Sequence, residues 1–190
     1  MERVVGALRG KLLKKEGTKA YIDVNGIIFE VNCDLFSLNE LEEGKEIFIY
    51  TLMLINQEEI NLFGFSNEKR KFLFQKLIKV SKLGPKTALK ILSSSDASEI
   101  ASLIVSEDVA RLSKIPGIGR KTAERIIAEL KDQVKGIASE KTMGIMEAIE
   151  ALTALGYSEN VARKCVRKVA KPGMDVSEII KKALKEMANL

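Results

Sequence analysis

The chain has 190 residues, 46% of them hydrophobic, a formal net charge of +5 and no histidine. Its mean hydropathy is near zero, and no apolar run approaches the ~18 residues of a membrane span, nor does the start carry a signal peptide's apolar stretch. A cytoplasmic globular protein with no membrane association is therefore expected. Cys33 and Cys165 lie far apart and no CxxC occurs. Neither a disulfide framework nor zinc or imidazole chemistry is expected, and with them no catalytic residue, metal ion or cofactor.

Residues 1–65 alternate apolar and polar positions with period two, as in Ala20-Tyr-Ile-Asp-Val24, Ile27-Ile-Phe-Glu-Val31 and Ile47-Phe-Ile-Tyr-Thr51. Glu16-Gly17, Asn25-Gly26 and Glu43-Gly44 separate these runs, and Asn-Gly is the strongest short hairpin signal. About five strands follow, with Ser37 as the expected cap of a short helical turn before Leu41. This pattern predicts a small Greek-key barrel of OB type. The segment is acidic, with 7 Lys and Arg against 11 Asp and Glu, and its aromatics (Tyr21, Phe29, Phe36, Phe48, Tyr50, Phe63) are expected to pack in the core. Asn56-Gln57-Glu58-Glu59 places two adjacent carboxylates at a hairpin tip, which by itself reads as a solvated turn.

Residues 66–135 reverse the balance, with 15 basic against 8 acidic residues. A helix capped by Asn67 runs through Phe72, Leu73 and Leu77 to a turn at Leu83-Gly84, and Lys86–Leu92 continues as a second helix. After Ser93–Asp96, Ala97–Val105 and Glu107–Leu112 read as short helices, the latter capped by Ser106. Pro116 then stops the chain, and an amphipathic helix runs from Arg120 to about Val134. Leu77, Lys79, Gly84, Lys86, Thr87, Ala88 and Ile91 recur 35 positions later as Leu112, Lys114, Gly119, Lys121, Thr122, Ala123 and Ile126. An internal repeat of this density marks a duplicated unit. In its second copy, Gly117 and Gly119 let the backbone pass close to another molecule. The helix N-terminus beyond them offers free amides, with Arg120 and Lys121 beside it, and Arg125 one turn further on. Such an end grips phosphate. The unit resembles the helix-hairpin-helix motif, which holds nucleic-acid backbones without reading base sequence. Lys82 and Pro85 stand where the second copy has Gly117 and Arg120, which leaves open how closely the first hairpin approaches DNA.

Residues 136–142 lack periodicity and read as a flexible linker. Residues 143–190 predict a three-helix bundle, with breaks at Gly156 and Pro172-Gly173, and with Ser158 and Asp175 as caps. Leu155-Gly156-Tyr157 resembles a loop of ubiquitin-associated-type domains, which bind partner proteins through an apolar patch; a core role for these residues is left open.

The order is α+β multidomain: an OB-type barrel, an all-α tandem helix-hairpin-helix domain, and a small UBA-like bundle. With Leu-Gly-Pro-Lys at 83–86, Ile-Pro-Gly-Ile-Gly-Arg-Lys-Thr-Ala-Glu-Arg at 115–125 and Ala-Leu-Gly-Tyr at 154–157, the whole chain closely resembles the bacterial RuvA family. The resemblance implies a homotetramer that binds a four-way Holliday junction, holds it in an open square and loads a RuvB-type hexameric ATPase for branch migration in recombination and repair. It leaves room for a RuvC-type resolvase and for a second tetramer on the junction. It implies DNA contacts at Lys79, Leu83, Gly84, Lys86, Thr87, Gly117, Gly119, Arg120, Lys121, Thr122 and Arg125. Partner contacts fall at Leu155, Gly156 and Tyr157. Glu58 and Glu59 match the family's acidic pin, while Gln57 stands at a position that is often acidic, so which two of the three act stays open.

Two enzymatic readings compete. Gly117–Thr122 superficially resembles a Walker A loop, but the G-x-x-x-x-G-K-[ST] spacing is not met and the turn follows a helix. A helix-hairpin-helix repair enzyme of glycosylase type would need a catalytic Asp or Lys beside a base pocket; Lys131 and Asp132 are the available residues.

Overall fold

The alternating first third of the chain forms five strands: β1 (Ala7–Glu16), β2 (Lys19–Val24), β3 (Ile27–Cys33), β4 (Glu46–Ile55) and β5 (Ile60–Phe65). They close in the order β1-β2-β3-β5-β4, antiparallel except where β3 meets β5. Inward positions supply a core of Leu8, Leu12, Ile22, Val31, Ile49 and Leu62. Asn25 and Gly26 both take positive φ at the β2–β3 turn, as a tight two-residue hairpin requires. The computed structural model describes residues 5–55, 59–171 and 173–188.

The short helix α1 (Leu35–Asn39) bridges β3 and β4. Its cap is Asp34, not Ser37: the Ser37 amide and hydroxyl both donate to the Asp34 carboxylate, at 3.1 and 2.7 Å. The expectation of a uniformly aromatic core is corrected as well. Phe63 is buried, Tyr21, Phe29 and Tyr50 are half-buried, and Phe36 and Phe48 are exposed. On β4 the period of two turns Ile49 inward and its neighbours Phe48 and Tyr50 outward, where their rings meet edge-on at 5.1 Å.

Helices α2 (Glu68–Leu77), α3 (Pro85–Leu92), α4 (Ala97–Val105), α5 (Val109–Leu112) and α6 (Arg120–Leu130) follow. Asn67 caps α2 as its sequence implies. Asp108, not Ser106, caps α5, because Ser106 already closes the end of α4. Helix α6 ends at Leu130 rather than near Val134; the chain turns there, and Val134 tucks back fully buried.

Composition separates barrel from helices, yet both lie in one compact unit, residues 1–137. Phe74 of α2 packs against Phe63 and Phe65 of β5, with centroids 5.0 and 4.9 Å apart. The buried Arg70 guanidinium donates to Asp34 of the barrel, to the Leu92 carbonyl at the end of α3 and to the Ser95 carbonyl. Lys71 adds a bond to the Gly6 carbonyl at 2.7 Å. The first hairpin helix is thus tied to the barrel by Arg70, Lys71 and Phe74.

The second unit, residues 138–190, contains α7 (Glu140–Ala154), α8 (Glu159–Val169) and α9 (Val176–Met187). The linker expected over 136–142 is mostly structured: a 3-10 turn spans Lys135–Ile137, and Ser139 caps α7 through the Thr142 amide. Ala148, Leu152, Val166, Ile179 and Ala183 meet in the bundle core. Ser158 and Asp175 cap α8 and α9 as expected. Cys33 and Cys165 are free and buried, and burial pushes the Cys33 thiol up to about 12. Among the described residues, no helix is long and apolar enough to cross a membrane.

Candidate nucleic-acid interface

The two copies of the repeat fold into turns with matching caps and hydrogen bonds. Leu83 and Ile118 are buried and anchor the loops, each donating its amide to the residue three before it, Val80 or Ile115, at 3.1 and 2.9 Å. Gly84 and Gly119 then cap α3 and α6 with φ/ψ of −82/168° and −84/166°. Their carbonyls accept from Ala88 and Ala123, at 3.0 Å in both copies. Lys82, the residue that departs from the glycine of the second copy, has φ +62° against +88° for Gly117. It takes a left-handed conformation as Gly117 does, at a strain of roughly 1 kcal/mol, so the turn is kept in both hairpins.

The capping glycines are not explained by the protein's own packing. A φ near −83° suits any residue, and a Cβ added at Gly84 or Gly119 meets nothing within 4 Å. Neither cap has a side-chain hydrogen bond, although Ser, Asp or Asn would supply one. What glycine offers here is on the outside: a bare loop and first-turn amides open to an approaching anion.

Cations surround both loops. Lys79, Lys86, Arg120 and Lys121 are exposed, as are Lys82 and Lys114, which the sequence reading did not count as contacts although both sit within the repeat. Thr87, Thr122 and Arg125 are half-buried. Arg125 reaches across to donate to the Ser81 carbonyl at 2.9 Å, tying the second hairpin helix to the first loop. Arg120 pairs with Glu124 at 2.9 Å, a solvated i,i+4 contact that a phosphate displaces at little loss. Leu83 does not face outward as a DNA contact; burial makes it the wedge that holds the loop.

The remaining candidates lie elsewhere. Glu59, at the foot of the β4–β5 loop, is exposed and accepts from Asn61 Nδ2 at 3.1 Å; Glu58 and Gln57 lie outside the described residues. In the second unit Gly156 has φ +94° and closes α7. The amides of Gly156 and Tyr157 donate to Thr153 and Leu152, a Schellman end. That turn leaves Leu155 66% and Tyr157 40% exposed, and Val161 in the first turn of α8 is exposed as well. Lys131 and Asp132, the residues a glycosylase would use, form surface ion pairs with Glu107 and Lys135.

Family models agree with this division. "RuvA N terminal domain" matches residues 5–64, "SAM-like Helix-hairpin-helix tandem" residues 74–132, and "RuvA, C-terminal domain" residues 145–188. Relatives named "Holliday junction branch migration complex subunit RuvA" align over nearly the whole chain. The one from Thermotoga petrophila is 46% identical, covering 96% of this chain and 97% of its own. That from Fervidobacterium nodosum is 46% identical over the full length of both. The Vibrio parahaemolyticus protein is 38% identical over 97% of this chain and all of its own. Matched at 38–46% identity over nearly the whole length of both chains, the chain belongs to the RuvA family.

Proposed function

We propose that the chain binds four-way Holliday junction DNA without sequence preference, as the non-catalytic DNA-holding subunit of a branch migration complex. The observation that carries this reading is the pair of matched hairpins, each capped by an exposed glycine that no internal contact demands and ringed by cations. Phosphates met by amides and lysines fix the register of an arm but carry no sequence information, which suits a junction that must slide. In a homotetramer, or two tetramers facing each other, hairpins hold the arms open and square. One acidic tip per subunit then stands where strands separate, and carboxylates at Glu58 and Glu59 repel phosphates there. The Leu155-Gly156-Tyr157 turn offers the kind of exposed apolar patch that docks a RuvB-type hexameric ATPase; this arrangement leaves a junction face for a RuvC-type resolvase.

Band-shift titration with labelled four-way and linear duplex DNA tests this. The double variant Gly84→Glu/Gly119→Glu loses most affinity for both, and unchanged binding removes the hairpins from the reading. Glu58→Gln/Glu59→Gln keeps or raises junction affinity while lowering the preference for four-way over linear DNA. A clear loss of junction affinity in that variant sinks the repulsive tip.

A further inference from the structure

A groove of about 670 Å³ opens between α3 and the barrel, with Pro116 of the second hairpin loop also lining it. Leu35, Phe63 and Leu89 give it apolar walls, and Lys86, Lys90 and Lys19, the last paired with Glu30 at 2.6 Å, give it three cations; no carboxylate among the described residues lines it. Lys86 and Lys90 stand four residues apart on one face of α3, an arrangement that slightly destabilises an isolated helix, and neither makes an ion pair among the described residues. On the barrel side Lys19 pairs in register with Asn32, and Asn32 with Phe63, so one rung across β2, β3 and β5 faces the groove. Asn61, which also lines it, holds the Glu59 carboxylate.

We propose that this groove carries a single DNA strand, its sugar and base against the apolar walls and its phosphates at Lys86 and Lys90, leading from the first hairpin to the acidic tip. The inference rests on the DNA-holding function proposed above and goes beyond it, because hairpins alone grip duplex arms. Three features favour an unpaired strand. The volume falls within the range of sites that enclose a small ligand, with room for a nucleotide. An apolar wall is useful to a base whose face is free, and in a duplex that face is stacked. The groove also uses the β1–β2 turn and the foot of the β4–β5 loop, the side of an OB barrel suited to extended oligonucleotides. Its contacts extend from Lys86, on the helix that the first hairpin opens, to Asn61 beside the tip.

The test uses the full chain and three labelled probes: linear duplex, a four-way junction with unpaired thymidines at its centre, and an oligothymidylate. Lys90→Glu changes an exposed residue outside the hairpin loops, and Lys90→Arg is the conservative control. Expected for Lys90→Glu is at least a fivefold loss toward oligothymidylate and the unpaired junction with duplex affinity within twofold, restored by Lys90→Arg. Photocross-linking from 4-thiothymidine at the junction centre is expected to reach the groove walls in the wild type and to fade in Lys90→Glu. Equal loss toward all three probes overturns the inference, since Lys90 then serves only the duplex grip. Loss of the native oligomer in Lys90→Glu also overturns it, since a second copy then covers the groove. Wild-type protein that binds neither duplex nor junction refutes instead the DNA-holding function itself.

Discussion

The two hairpins share a turn and differ in how they are secured. The first has lysine at the left-handed position, proline at the start of its helix, and a buried arginine that ties the far end of α3 to the barrel. The second has glycine and Arg120 at the equivalent positions, and its α6 is linked to the first loop by the half-buried Arg125. The difference teaches that loop geometry survives substitution when the buried anchors, Leu83 and Ile118, are kept. It also makes the first copy the fixed one and the second its dependent.

The largest effect should come from the tie itself. Asp34→Ala strands a buried guanidinium and is expected to destabilise the first unit by about 3–5 kcal/mol, whereas Arg125→Ala removes one partly solvated bond worth about 1 kcal/mol; chemical denaturation compares them. Similar losses in the two variants would erase the distinction between fixed and dependent copies. Next come the caps. Gly84→Glu and Gly119→Glu singly should each weaken duplex and four-way binding by about tenfold, ~1.4 kcal/mol, with thermal unfolding unchanged, because a Cβ at either position meets no protein atom within 4 Å. A much smaller loss at Gly84 would show that matching turns do not approach DNA equally. Lys86→Ala and Lys121→Ala are each expected to lower the salt slope of binding by about one unit; a slope that moves for one and not the other assigns the phosphate contact to a single copy. The smallest expected change is Gly117→Lys, which writes the first loop into the second. Left-handed strain of roughly 1 kcal/mol is the only loss expected in a melting curve, and a failure to fold would mean that the first loop depends on its tie to the barrel to hold Lys82.

Local signals were legible wherever short-range physics determines the outcome. The period of two marked the strands, Asn25-Gly26 the turn, Asn67, Ser158 and Asp175 the caps, and the 35-residue repeat the hairpins. The caps at Asp34 and Asp108 were missed because a serine and an aspartate stood within three residues of each other, and the choice depends on which oxygen the folded chain turns toward the free amides. Leu83 entered as a contact through the resemblance, which carries over a motif position but not which way its side chain points; here that side chain is buried.

By itself, then, the amino-acid order determined the elements, their succession, the concentration of positive charge in residues 66–135 and the duplication that points to a backbone grip. Tertiary structure alone decided that Lys82 adopts a glycine's conformation, that no internal contact explains Gly84 and Gly119, that Arg70 joins barrel to hairpin, and that lysines from β2 and α3 share one groove. The reason is physical: dihedral preferences and periodicity act over a few residues, whereas burial, cross-strand register and the space left beside a Cα depend on residues far away in the chain.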